Sequence, residues 1–145
     1  MHFVISGTWG PTDPTRAMLP FIFAASAIQD NDTVTLMLFH DAVLMAVAGA
    51  AAKLVPVGPP NRYEEVVSHP NVTLWACRPC LDARAIVSSS LDQRVKLGGM
   101  NDFHAASKRP DSKVIAFQPP IRASPLWAVS DWSVIANLNG NAVSC

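Results

Sequence analysis

Five short apolar runs, each closed by turn-forming or polar residues, constrain what this chain can fold into more than any other feature. They are Phe3–Ser6, Thr33–Phe39, Val72–Ala76, Val95–Leu97 and Lys113–Phe117. Segments of helical spacing separate them. Parallel strands need helical crossovers, and helices laid on both faces keep such a sheet dry. The pattern therefore predicts an α/β fold, a three-layer α/β/α domain with a five-stranded, mostly parallel sheet. Crossover handedness follows from that class, but strand order does not.

The predicted helices have local signals of their own. Asp13 followed by Pro14 is a strong start, an N-cap carboxylate ahead of a residue suited to the first turn. The helix after it carries Ala17, Met18, Phe21, Ile22, Ala25 and Ile28 at helical spacing, and Pro20 within it predicts a kink. Ala42–Leu54 reads as an alanine-rich buried helix, Asn61–His69 as a short polar one, and Leu81–Val87 and Met100–Lys108 as two more. After Phe117 the composition changes: Pro119-Pro120 breaks the chain, and beyond Arg122 only Asp131 is charged. The expected organisation is one domain over residues 1–117 and an extension over 118–145, packed on its own domain or reaching a neighbouring subunit.

Composition narrows the partners. Eleven basic and eleven acidic side chains cancel, so no polycationic face attracts nucleic acid. The longest uncharged apolar stretch, Ala42–Ala52, is about half of the ~20 residues a bilayer span needs. No basic leader precedes Phe3-Val4-Ile5, so a cytosolic protein is expected. Charged residues are only 15% of a 145-residue chain, which points to surface hidden in an oligomer or in a docked subunit. Three cysteines are too few and too sparse for a disulfide scaffold.

The residues with chemical potential recur where strands end. In an open parallel sheet, ligands gather beyond the carboxyl ends of the strands. Gly7–Pro14 follows the first strand, His40-Asp41 the second, Cys77-Arg78-Pro79-Cys80 the third and Gly98-Gly99 the fourth. Cys80 is expected in the first turn of the following helix, where the dipole favours a thiolate. Arg78 and Arg84 would add positive potential, and a thiolate so placed attacks disulfide or persulfide sulfur. His40 and Asp41 are a possible acid–base pair, or caps of the next helix.

Several alternatives accompany this reading. The cysteines could supply half of a zinc site completed by His40 and His104, although the spacing matches no known pattern. They could form a thioredoxin-like redox pair, although that motif would follow an earlier strand. They could also be two small core residues. Gly7-Thr8-Trp9-Gly10 has neither a P-loop lysine nor a dinucleotide fingerprint, so no nucleotide cofactor is expected, and none of another kind.

Three stretches are similar to the DsrE/DsrF/TusD-type family of small sulfur-transfer proteins. They are Thr8–Ala17 with Leu19-Pro20-Phe21, then Leu38-Phe39-His40-Asp41-Ala42-Val43, and Cys77-Arg78-Pro79-Cys80-Leu81-Asp82-Ala83-Arg84. Ala42 and Ala85 stand where the family pattern has glycine. The resemblance covers residues 1 to 117. It implies an α/β/α domain assembled as a trimer or hexamer and a protein sulfur donor and acceptor. It also implies a persulfide carried on Cys77, with Cys80 as resolving or relay thiol. The expected function is a cytosolic sulfur carrier. The competing expectations are a structural or adaptor subunit docking through its C-terminal tail, and a thiol–disulfide redox protein.

Overall fold

The computed structural model describes residues 1–118, and the C-terminal extension expected over 118–145 lies, beyond Gln118, outside the described residues. The chain runs β1 (His2–Gly7), α1 (Pro14–Gln29), β2 (Thr33–Leu38), α2 (Tyr63–Val67), β3 (Val72–Cys77), α3 (Arg78–Asp82), β4 (Lys96–Gly98), α4 (Met100–Ser107) and β5 (Ser112–Phe117). Three short 3₁₀ segments, His40–Ala46, Ala51–Lys53 and Ser88–Ser90, fill the connections. All five strands are parallel in the order β4-β3-β2-β1-β5.

That order places the layers. Three successive crossovers from β1 to β4 step in one direction across the sheet, and right-handedness keeps them on one face. The return from β4 to β5 crosses to the far edge and lays α4 on the opposite face, against β5 and β1. Side chains alternate accordingly. Phe3 meets Phe23 of α1 edge to face, with ring centroids 5.1 Å apart. On the same side Ile5, Val34, Leu36, Leu38, Leu74 and Ala76 join the core under α1 and α2. The opposite face is more polar at its start, where buried His2 shares hydrogen bonds with the Thr33 and Thr35 hydroxyls at 2.8 and 3.2 Å.

Helix α1 follows its sequence signals. Asp13 caps it by accepting the Arg16 N–H at 3.0 Å, and Pro14 is its first residue. It buries Ala17, Met18, Phe21, Ala24, Ala25 and Ile28, and fully burying a side chain the size of Phe21 is worth about 1.5–3 kcal/mol. The helix continues across Pro20, whose ring packs on the space left by Gly7; a Cβ on that glycine would lie 3.0 Å from Pro20 Cγ.

The expected Ala42–Leu54 helix is not formed. Its carbonyls and amides are used elsewhere: the Asp92 N–H donates to the Ala46 carbonyl and the Ala48 N–H donates to the Ser90 carbonyl, both at 2.9 Å. An antiparallel bridge between Val47 and Leu91 results. Gly49, at φ +76°, turns the chain between the two 3₁₀ pieces that replace the helix. Two other helices are shorter than expected. Asn61 stays outside α2 as a side-chain clasp, donating to the Ala51 and Leu54 carbonyls at 2.8 and 2.9 Å. Helix α3 begins at Arg78 and ends at Asp82 rather than running to Val87, because Ala85 adopts a left-handed conformation with φ +52°. Among the described residues, no helix is long and apolar enough to cross a membrane.

Candidate functional site

Three loops converge at the carboxyl ends of β1, β2 and β3. The β1 loop is fastened to both neighbouring strands: the Phe39 N–H donates to the Gly7 carbonyl at 2.9 Å, and the Thr8 N–H and hydroxyl both reach the Phe117 carbonyl. Gly10 lies so close to the β2 loop that a Cβ there would stand 2.5 Å from the Asp41 carbonyl oxygen. Thr8, Trp9, His40, Asp41 and Gln118 line an open cleft of about 490 Å³. The Arg16 guanidinium lies over the ring of Trp9, 4.7 Å from its centroid, a cation on the aromatic face of one lining residue.

The β2 and β3 loops meet sulfur to backbone. His40 has φ +51°, a left-handed conformation that is uncommon for a residue with a Cβ. In that conformation its N–H donates to Cys80 Sγ at 3.3 Å. Next to it, Asp41 accepts from Arg84 Nε at 3.0 Å and from a terminal Arg84 nitrogen at 2.7 Å, while the other terminal nitrogen donates to the Cys80 carbonyl at 3.0 Å. The His40 ring also lies beside Asp41, with Nδ1 3.5 Å from Oδ2. The His40-Asp41 dipeptide, Arg84 and Cys80 thus form one connected cluster.

Cys77 and Cys80 differ in exposure although only two residues part them. Cys77 ends β3 and is 6% exposed among core residues, whereas Cys80 is half-buried. Burial, and after it the neighbouring Cys80 side chain, push the Cys77 thiol up to about 11. The supporting residues are placed differently from expectation. Arg84 lies beyond the end of α3 and spends its guanidinium on Asp41 and on the Cys80 carbonyl. Arg78 is exposed as the first residue of α3, and Pro79 follows it as the second. Helix α3 has only five residues, so it supplies less of an aligned dipole than the expected longer helix.

The fourth strand end takes a structural role. Gly98 packs beneath Trp75, where a Cβ would lie 2.5 Å from the ring, and the Gly99 N–H is held by Asp102 Oδ2 at 2.8 Å at the start of α4. His104 sits on that helix, and among the described residues no group of three or more His, Cys, Asp or Glu is placed to hold a metal ion. The expectations left out Thr8 and Gln118 as wall residues and the His40 N–H as a partner of sulfur. Thr8 lies in a stretch that carries the family resemblance, but Gln118 and the His40 backbone have no composition signal.

Fold and site together define a small, all-parallel α/β domain with a C-x-x-C at the tip of its third strand, faced by a His-Asp loop from the second. The family model described as DsrE/DsrF-like matches residues 1–117, and the chain belongs to this family. Membership implies a sulfur-relay role in general terms. Among solved structures, YchN from E. coli is similar, with TM-score 0.64 and 22% identity over 80% of this chain and 98% of that one. MTH1491, a protein of unknown function from Methanobacterium thermoautotrophicum, is similar with TM-score 0.59 and 14% identity, over 79% and 96% of the two chains. At these identities the likeness concerns the fold. No curated protein matches the chain.

Proposed function

We propose that this protein carries sulfane sulfur as a cysteine persulfide on its Cys77–Cys80 pair and hands it to a partner protein. The observation that carries the reading is the Cys80 sulfur held by the His40 N–H at 3.3 Å, with a second cysteine three residues earlier at the end of β3. An N–H aimed at sulfur stabilises negative charge there, and both a thiolate and a persulfide anion carry that charge. In loading, a cysteine thiolate attacks the outer sulfur of a donor; one S–S bond forms, one breaks, and the shortened donor leaves with the electron pair. Arg84 positions the Cys80 turn through its carbonyl, and Asp41 anchors Arg84. Free thiols of this kind suit a reducing compartment, in keeping with a cytoplasmic location.

Assembly belongs to the same reading. Val114 on β5 and Met100 on α4 are 50% and 62% exposed at the thinly covered side of the sheet, as expected of a subunit that packs against copies of itself. The extension over 118–145 is proposed as an arm that strengthens this assembly. Light scattering on the full chain and on a chain ending at residue 118 tests both points: a trimer or hexamer is expected, weakened by truncation.

Intact mass after incubation with inorganic polysulfide tests the function. Mass added in whole sulfur increments and removed by reductant is the expected result; no uptake by the wild-type protein would end the carrier reading. The C-x-x-C spacing of Cys77 and Cys80 at the end of β3 also favours a second reading, a thiol–disulfide redox protein. A redox titration that finds no two-electron couple between Cys77 and Cys80 eliminates it.

A further inference from the structure

We infer that sulfur enters and leaves this protein through Cys80 and is passed inward to Cys77, so that Cys80 is the thiol a donor meets. The inference rests on the carrier reading and reverses the order that family resemblance implies, in which Cys77 accepts first.

Access decides the first step. Attack on a sulfane sulfur needs an open approach for the nucleophile, the sulfur attacked and the sulfur that leaves. Cys77 is 6% exposed and packs within the core that also holds Ala76 and Leu81. Cys80 is half-buried, with exposed Arg78 and Pro79 before it. Activation points the same way. Cys80 receives the His40 N–H, whereas burial keeps the Cys77 thiol protonated at neutral pH, and a protonated thiol is a poor first nucleophile. The left-handed φ of His40 has an assignment in this scheme: it holds the N–H on the entry sulfur.

Both steps balance without an added oxidant or reductant. The Cys80 thiolate bonds the outer sulfur of a polysulfide, whose terminal S–S bond breaks and whose shortened remainder leaves with the electron pair. Cys77 then attacks the outer sulfur of the Cys80 persulfide. One S–S bond forms on Cys77 and one breaks, Cys80 takes back the electron pair, and the proton released by Cys77 is taken up by Cys80. The stored sulfur ends in the less exposed position, shielded from bulk reductant, and leaves by the reverse path.

The test is a time course of sulfur uptake from inorganic polysulfide by intact mass, in a Cys145→Ser background so that only the pair reports. Cys77→Ala should still load one sulfur, on Cys80, which a protein whose entry thiol is Cys77 would not do. Cys80→Ala, which leaves only the buried thiol, should load roughly tenfold more slowly or worse. Circular dichroism checks that each variant folds, and Cys77→Ser stands in if the alanine does not. Loading of Cys80→Ala at the wild-type rate would overturn the entry role and leave the carrier reading in place. Failure of the parent protein itself to take up sulfur would instead remove the carrier reading, and the inference with it.

Discussion

Arg84 sets two of its guanidinium nitrogens, at 3.0 and 2.7 Å, on the same oxygen of Asp41, and so ties the turn after α3 to the segment leaving β2. The pair is partly exposed, which screens its charge, and such pairs are worth about 0.5–1 kcal/mol in a double-mutant cycle. A cycle over Asp41→Ala and Arg84→Ala should return a coupling of that size. Sulfur uptake should fall more than stability does, because the Cys80 carbonyl loses its anchor as well. Arg84→Lys should fail to restore uptake, since an ammonium cannot hold both partners with one planar fork.

Ala85 occupies a conformation that favours glycine, and its side chain is exposed, so little packing is lost by removing it. The left-handed region costs a residue with a Cβ about 1–2 kcal/mol, part of which glycine gives back through the freedom of its unfolded chain. Ala85→Gly should therefore stabilise the protein by roughly 0.5–1 kcal/mol in urea unfolding. Ala42, the other place where the family pattern has glycine, lies in the His40–Ala46 3₁₀ segment, does not itself have a positive φ, and is buried. Ala42→Gly should destabilise instead.

Gly10→Ala places its Cβ 2.5 Å from a backbone oxygen of Asp41, which cannot turn aside as a flexible side chain would. Crowding of this kind costs about 1–3 kcal/mol. Displacement of the His40-Asp41 loop should also lengthen the contact with Cys80. Denaturant unfolding and polysulfide uptake, measured on the same variant, should both report a loss.

Away from the site, Asp92 joins the helix α2 region to the β4 approach. It accepts from Arg94 at 2.6 and 2.9 Å and from the Tyr63 hydroxyl at 3.2 Å. The Arg94 hydrogen bonds hold its carboxyl down from 3.8 to about 2. Because the folded value lies below the unfolded one, this stabilisation is complete above the unfolded value and is lost as pH falls through about 2. The shift corresponds to roughly 2 kcal/mol at neutral pH. Asp92→Asn should lose about that much there, and its disadvantage should shrink in unfolding curves recorded in acid.

His2 gives a pH dependence nearer neutrality. Burial first, and then the charge of Arg109, lower its pKa below the ordinary 6.5. The unfolded imidazole thus takes its proton before the folded one does. Stability should be full above the unfolded value and fall as pH drops below it, until the folded group protonates too. Urea unfolding on either side of that value should show the loss in the wild type and a smaller one in His2→Gln.

The strands were legible because each is a short, mostly apolar run ending at a turn, as expected of parallel strands covered by crossover helices. The stretch from Ala42 to Leu54 misled for a physical reason. Alanine-rich apolar sequence favours a helix locally, but the Ala46 carbonyl and the Ala48 N–H are taken by the segment around Leu91, far along the chain. Pattern along the sequence contains no record of that competition. At the site, Cys77, Cys80, His40, Asp41 and Arg84 were legible from residue type and position after strands. What each one holds was not. The partner of Arg84 and the donor to Cys80 depend on how two crossovers end side by side, and a backbone N–H carries no signature in residue identity.

The strand order has a dynamic consequence. His40, Asp41, Cys77 and Cys80 sit at or just beyond the ends of β2 and β3, which have a hydrogen-bonded strand on both sides, whereas among the described residues the sheet ends in three-residue β4 and in the exposed, lysine-bearing β5. Opening of a domain begins where strands are short and paired on one side only. Amides of β4 and β5 should thus exchange with solvent ahead of the central strands, and the thiol pair should keep its geometry while the margins of the sheet breathe.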